Sequence, residues 1–360
     1  MDAFRRCEKR KSKTKLQLKI FLEFLNNSVS ECYNLSIWKK EVATIKESIG
    51  LLPHGQAIHY FIARLPKTHD QREYLENQLH RKTAGERGEK KMRKKFQEFH
   101  LDENFAALWD IGLIDGGWKT QFDGLVITEK CIIILDSKNV SEDLHFDEKT
   151  GEFIRMDSKG QRLILDNPVF QLNKNIQFLK RWLGKRKIDV RVKGLIVYTA
   201  NQCLFHSKPS GAPICKTYQM NDYLYNILRP LPPDPAPLKI NKIKRLIEAN
   251  HSPYVRRPLC ETYKIAYGDL QKGVYCADCK GYQMARVKRN WVCSGCGAKN
   301  SAAHHFALQE YFSFVDDSLS NKEFREFCLL GSADVAKRIL SQYDFKVFGD
   351  TKSRRYRIKE

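Results

Sequence analysis

The stretch from Thr120 to Asn139, TQFDGLVITEKCIIILDSKN, limits what this chain can fold into more than any other segment. Two apolar runs of strand length flank a polar turn at Glu129 and Lys130, and both runs carry ionisable side chains. Strand side chains alternate between faces, so Ile132, Ile134, Asp136 and Lys138 share one face while Ile133, Leu135 and Ser137 share the other. The same rule groups Asp123 with Leu125 and Ile127. Pairing the two strands therefore brings Asp123, Asp136 and Lys138 to one edge of a sheet. Charges in so apolar a setting are costly unless they are paired or bound to metal.

Two carboxylates and a lysine at this spacing suit metal-assisted phosphodiester hydrolysis. Carboxylates give hard oxygen ligands to Mg2+, which also touches substrate phosphate. The ion makes its water more acidic and stabilises charge developing on phosphorus, while a lysine orients the nucleophile or holds the phosphate. A salt bridge at a strand end accounts for Asp136 and Lys138 equally well.

The segment from about Arg64 to Phe205 resembles the nuclease-related domain (NERD) branch of the PD-(D/E)xK nuclease superfamily. The matching pieces, in order, are RLPKTH, AGERGEKK, TQFDGLVIT, IIILDSKN, LHFD, FIRMD and NPVFQLNKN. The resemblance implies a restriction-endonuclease-like α/β core with Asp123 and Asp136 as ligands of Mg2+ or Mn2+ and Lys138 beside them. It also implies Glu89 as a further site residue and Gln171, on a later helix, near the active site. This family usually has glutamate where Asp136 stands, so the carboxylate here is one methylene shorter.

With 360 residues the chain has room for two or three domains. A formal charge of +21 predicts attraction to a polyanion. Nucleic acid is the first candidate, DNA ahead of RNA, with an acidic membrane surface or a ribosomal association as alternatives. No apolar run reaches the roughly 18 residues needed to span a bilayer. The basic N-terminus, MDAFRRCEKRKSKTK, lacks a signal-peptide core, which predicts a cytoplasmic protein. Eleven cysteines, four of them in C-x2-C pairs, argue for a reducing compartment and a bound metal.

Residues 1–80 read as helices. Leu16, Leu18, Ile20, Phe21, Phe24 and Leu25 make one apolar face, the cluster Arg5 to Lys19 is either a phosphate contact or a solvated face, and Pro53-His54-Gly55 is a turn between further helices bearing Ile49, Leu52, Ile58, Phe61, Ile62 and Leu65. The nuclease-like domain is expected over 81–205. Its first helix, from Ala84, aims Met92, Phe96 and Phe99 at the sheet with Glu89 on the same face; helix-dipole stabilisation of an N-terminal glutamate explains Glu86 better than Glu89. A strand follows over Ala106 to Ile114, then the two site strands, a hairpin from Leu144 to Met156, and a helix opened by Asn167 and Pro168. On that helix Leu172, Ile176, Leu179 and Leu183 form the buried stripe. Gln171 and Asn175 either reach the carboxylates or face solvent. The strand Val190 to Ala200 suits a sheet covered on both faces. Lys180, Arg181, Lys185, Arg186 and Lys187 either hold DNA or complement the helix dipole.

Residues 206–255 read as connective, with prolines between Pro230 and Pro237 as a stiff spacer. A zinc ribbon is expected over 256–300: Cys276-x2-Cys279, thirteen residues, then Cys293-x2-Cys296 present four thiolates to one tetrahedral Zn2+, which should be structural. An iron–sulfur cluster and a redox pair are the alternatives. Tyr282, Arg286, Lys288, Arg289 and Trp291 suit a nucleic-acid surface or, for Trp291, a hydrophobic plug. His304-His305 is not a metal pair, because adjacent helical residues diverge. Residues 301–360 outline a helix-turn-helix or winged-helix-like module, or else a non-binding helical cap, with a capping box at Ser320 and Glu323 and a wing around Gly349 to Lys352.

The expected function is a metal-dependent DNA nuclease, with host defence and DNA repair as settings the resemblance allows. The alternatives are a catalytically inactive nucleic-acid-binding protein using the same parts, and a ribbon that gathers protein partners. Oligomeric state is not legible in the sequence.

Overall fold

The computed structural model describes residues 46–157, 160–232, 238–350 and 353–359. The expected helical face at Leu16 to Leu25, the cluster Arg5 to Lys19, residues Pro233, Pro235 and Pro237, and the wing tip at Thr351 and Lys352 lie outside them. Ser48–Glu360 forms one compact unit. No helix among the described residues is long and apolar enough to cross a membrane.

The described chain opens in an extended segment that buries Ile49 and Leu52, both expected in a helix. Pro53 then precedes α1 (His54–Arg64), so Pro53-His54-Gly55 starts a helix and is not a turn between two. Proline suits that place because the first helical amides have no partner to lose. The next helix, α2 (Arg72–Phe96), begins at Arg72 and not at Ala84. Glu86 and Glu89 are therefore mid-helix, and the dipole account of either fails. The first half of α2 packs Leu75 with α1; the second half sets Met92 and Phe96 against the sheet, with Phe99 just beyond its end.

That sheet begins with β1 (Phe105–Asp115), β2 (Trp118–Thr128) and β3 (Ile132–Lys138), joined antiparallel. Gly116, at φ +62°, supplies the left-handed residue that the two-residue β1–β2 turn requires. The strands β4 (Asp143–Phe146) and β5 (Phe153–Met156) make the expected hairpin, to which β6 (Arg162–Leu165) adds. The helix α3 (Pro168–Gly184) follows, Asn167 Oδ1 accepting from Val169 N at 2.9 Å as its cap. It forms the crossover that a parallel strand needs, and β7 (Val192–Tyr198) pairs parallel with β3. β8 (Leu204–Phe205) joins the side sheet next to β4.

The stretch expected to be connective is folded onto this core. β9 (Ile214–Lys216) pairs parallel with β7, giving the order β1-β2-β3-β7-β9. α4 (Met220–Leu228) buries Met220, Leu224 and Leu228 on the α2 face, and α5 (Ile240–Ala249) buries Ile240, Ile243 and Ile247 on the α3 face. The nuclease-like unit thus runs past residue 205, because its sheet needs a fifth strand and both faces need covering. Three of the cations near the C-terminus of α3 have partners within the protein. Arg181 and Lys185 pair with Asp115 at 2.7 and 2.6 Å, and Arg186 stacks 3.6 Å from the Trp182 ring.

Beyond it, α6 (Leu259–Tyr263) packs Leu259 in the α1 core and does not belong to the ribbon. β10 (Met284–Val287), β11 (Asn290–Cys293) and β12 (Lys299–Asn300) form the ribbon sheet. Tyr282 and Trp291 are 6 % and 0 % exposed, so neither offers a ring face for a base to stack on; they are the module's plug. The last module runs α7 (Ala303–Phe314), β13 (Ser318–Ser320), α8 (Asn321–Cys328), α9 (Ala333–Leu340), β14 (Phe345–Phe348) and β15 (Arg355–Ile358), with sheet order β13-β15-β14. Helix, strand, two helices and a two-stranded wing is winged-helix order. The capping box at Ser320 and Glu323 forms in both directions.

Candidate active site

β3 and β7 run parallel, and Lys138 and Tyr198, which end them, are register partners. The carboxyl ends of parallel strands are where open α/β sheets place ligands. Ile132 and Ile134 lie in the core under α3, and Ile133 and Leu135 in the core under α2, as the alternation requires. Asp136 and Lys138 continue the α3 face. Asp136 is 6 % exposed. Lys138 Nζ donates to Asp136 Oδ1 at 3.2 Å and to Gln171 Oε1 of α3 at 2.9 Å. It also lies 2.9 Å from Asp136 Oδ2, so both oxygens of this buried carboxylate face one ammonium. Burial pushes the Asp136 carboxyl above its ordinary range, Lys138 opposes this, and the charge of Asp123 adds to it.

Asp123 sits where the strand ladder breaks. Phe122 and Leu125 both face the α3 core, so the period-two alternation fails between them. The cause is across the hairpin: Asp110, opposite Asp123 in the register, has φ +54°, and the β1–β2 pairing skips these two residues. Asp123 Oδ2 accepts from Ser137 N at 2.8 Å and from Ser137 Oγ at 2.9 Å, which fixes its carboxylate at the gap where β2 and β3 part. Glu89, half-buried on α2, has no hydrogen bond or ion pair among the described residues. Burial raises its carboxyl, with Asp123 the next cause and Lys82 and Arg93 opposing. Asp123 thus stands electrostatically between Glu89 on one side of the sheet and Asp136 on the other. Asn175, half-buried on α3, makes no hydrogen bond to these groups among the described residues.

A buried carboxylate paired with a single ammonium and a second carboxylate with one oxygen uncommitted offer the hard oxygen donors that a divalent cation takes. The carboxylates are not clustered as tightly as the ribbon thiols. Among the described residues the four cysteines are the only group of three or more His, Cys, Asp or Glu side chains able to share an ion. A water-mediated place suits Glu89 better than direct ligation.

In the ribbon, the Sγ atoms of Cys276, Cys279, Cys293 and Cys296 all lie within 4.8 Å of one another. Cys276 and Cys296 are 3.6 Å apart, Cys279 and Cys293 3.4 Å. Zn–S bonds of about 2.3 Å in a tetrahedron put the sulfurs about 3.8 Å apart, so spacing and donor set both fit zinc. Lys280 at φ +59° and Gly297 at φ +74° close the two knuckles, their amides donating to Cys276 O and Cys293 O. His304 is not a ligand. Its Nδ1 accepts from Trp291 Nε1 at 3.1 Å, and burial lowers its pKa to about 4.

Sequence reasoning passed over Asp110, although an aspartate inside the apolar run FAALWDIGLI was the available signal. It also passed over Arg64 and Glu310, a fully buried ion pair at 2.6 Å joining α1 to α7.

A search of curated proteins and a search of solved structures return no match. The model of the nuclease-related domain family matches residues 84–199, the segment that holds Glu89, Asp123, Asp136, Lys138 and Gln171, and this part of the chain is accordingly a nuclease-related domain.

Proposed function

We propose that the protein is a metal-dependent nuclease that hydrolyses phosphodiester bonds of DNA, with Mg2+ or Mn2+ held by Asp123 and Asp136 and a structural zinc in the four-cysteine ribbon. The observation that carries this reading is the buried Asp136 carboxylate, ion-paired with an amine that it shares with Gln171 at the carboxyl ends of β3 and β7. Burying this carboxylate is costly, one ammonium only partly offsets the cost, and a divalent cation would add to that compensation. A divalent ion bound there supplies a Lewis acid for a phosphoryl oxygen and a more acidic water. Lys138 would hold the attacking water or a phosphate oxygen, Gln171 would fix the direction of the amine, and Glu89 would orient water from the opposite side of the sheet. Water attacking phosphorus would form one P–O bond as the P–O bond to the leaving sugar oxygen breaks, the water giving a proton to solvent and the leaving oxygen taking one from it. All nine described cysteines are free, which suits a cytoplasmic setting, and both DNA repair and defence against foreign DNA need such an activity.

The test is cleavage of plasmid and single-stranded DNA by the purified full chain with Mg2+, beside Asp136→Ala and Lys138→Ala. Loss of about two to three orders of magnitude in both variants is expected. Equal cleavage by all three proteins would mark a contaminant and end the enzyme reading.

A second reading rests on the winged-helix module. The exposed face of α9 carries Lys337 and Arg338, and Lys322 and Arg354 stand nearby without an ion-pair partner among the described residues. An inactive nuclease fold that binds nucleic acid through this surface predicts binding by every variant and cleavage by none.

A further inference from the structure

Beside the proposed catalytic edge lies a cavity of about 400 Å³. It is bounded by Arg87, Gly88 and Lys91 of α2, by Asn139 and Ser141 after β3, and by the turn that follows β7. Its walls are continuous with the site. Gly88 precedes Glu89, Asn139 follows Lys138, and Thr199 N donates to Lys138 O at 2.9 Å. The cavity is held rigidly. Asn139 Nδ2 donates to Ala84 O at 2.6 Å, and Lys91 Nζ donates to Thr199 O at 2.6 Å and to Asn201 Oδ1. A Cβ on Gly88 would come within 2.6 Å of Thr199 Oγ1 and 3.0 Å of Asn139 Cβ, so α2 meets the strand ends as closely as a backbone can.

Its chemistry is one-sided. No described Asp or Glu lines it. Lys91 keeps one of its three protons uncommitted, while Arg87 is exposed and has no hydrogen bond or ion pair among the described residues. Ser141 and Gln202 add neutral donors. A nucleic-acid strand approaching the carboxylates of Glu89, Asp123 and Asp136 meets like charge, and a compensating cation must stand where the strand leaves them. A planar guanidinium with free donors matches two oxygens of a phosphodiester.

We infer that this cavity is a second phosphate subsite, in which Arg87, supported by Lys91, grips the backbone phosphodiester next to the one being cut. It would recognise any phosphodiester strand without reading bases, since only phosphate contacts are offered. The inference rests on the nuclease reading for what lies next door, and the two fail separately. The role is positional, so the loss belongs in KM and in salt dependence rather than in kcat.

The test compares the full-length wild type with Arg87→Gln, Arg87→Lys and a charge-matched control, Lys193→Gln, at the far end of β7. Binding of a short DNA duplex is titrated across salt concentrations without divalent cation, and plasmid cleavage is measured separately in Mg2+. Arg87 is exposed, so its variants should fold; Lys91 is left intact because it ties α2 to the β7 turn. Arg87→Gln should flatten the slope of log K against log salt by about 0.9, the value of one phosphate contact. It should also raise KM about three- to tenfold with kcat little changed, while Arg87→Lys keeps the slope. A slope and KM for Arg87→Gln equal to those of Lys193→Gln would overturn the subsite, as would absence of DNA binding by the wild type at low salt. A flattened slope together with a wild type that cuts nothing would leave the subsite standing and remove the nuclease reading.

Discussion

Asp136 closes an otherwise apolar strand with a carboxylate that burial and Asp123 both push toward its neutral form, and Lys138 only partly relieves. Its proton is therefore bound more tightly in the folded chain than in the unfolded one. From the unfolded carboxylate value of about 3.9 upward, the folded state holds the extra proton, so stability falls as rising pH forces ionisation in place. Asparagine keeps the shape and removes the charge. Asp136→Asn should melt above the wild type at neutral pH without added divalent cation, with the gap closing as the pH falls toward about 4 and absent below it. Added Mg2+ should raise the wild-type Tm and leave the variant unmoved. Thermal unfolding across pH checks both, and equal melting of the two proteins at pH 7 would mean that Asp136 is not strained. Lys138 beside Asp136 was legible in the sequence because alternation within one strand needs no knowledge of its neighbours. The setting of Asp123 was not, since the left-handed backbone at Asp110 resets the alternation on both strands of the hairpin.

Elements bring these residues together through a few close approaches. Gly88 makes one beside the site, because its hydrogen faces Asn139 Cβ and Thr199 Oγ1 at distances no methyl could keep. Gly88→Ala should cost about 1–3 kcal/mol, the usual range for overpacking a tight contact. It should also weaken cleavage by moving Glu89 away from Asp123. The urea midpoint reads the first effect and the cleavage rate the second; a variant unchanged in both would show that α2 can shift freely. The N-cap of α3 is worth less: Asn167→Ala should lower stability by about 1 kcal/mol, read from the same denaturant midpoint. That cap was readable from Asn167-Pro168 alone. The start of α2 was not, since Arg72 to Lys91 is strongly polar with Leu75 as its buried anchor, and packing on α1 rather than an apolar stripe holds it helical. Nor was β9, whose three residues are too few to show any period.

Across the whole unit, α2 is the strut. Its 25 residues span about 37 Å, one end in the core of α1 and the other on the nuclease sheet. The α1 end meets a buried hub. Arg64 Nη2 lies 2.6 Å from Glu310 Oε2, its other donors reach Gln271 O and Gly273 O, and the Tyr282 hydroxyl donates to Glu310 Oε1 at 2.9 Å. The guanidinium also stacks on the rings of Tyr282 and Phe327, so α1, the ribbon and the winged-helix module share one charge pair. Breaking a buried pair strands the remaining ion, at a cost of about 3–5 kcal/mol. Glu310→Gln should therefore lower Tm by at least about 5 °C. The ribbon core is continuous with that of α7 and α8 through Met284, Trp291 and Cys293, so stripping zinc should lower the same transition rather than create a separate early one. Because Tyr282 joins the metal knuckles to Glu310, the two perturbations act on one network. Their combined effect should fall short of their sum by more than the 0.3–0.5 kcal/mol or so allowed for independent sites. Calorimetry of wild type and Glu310→Gln, each with and without chelator, measures that shortfall, and strict additivity with two resolved transitions would show the ribbon to be an independent appendage.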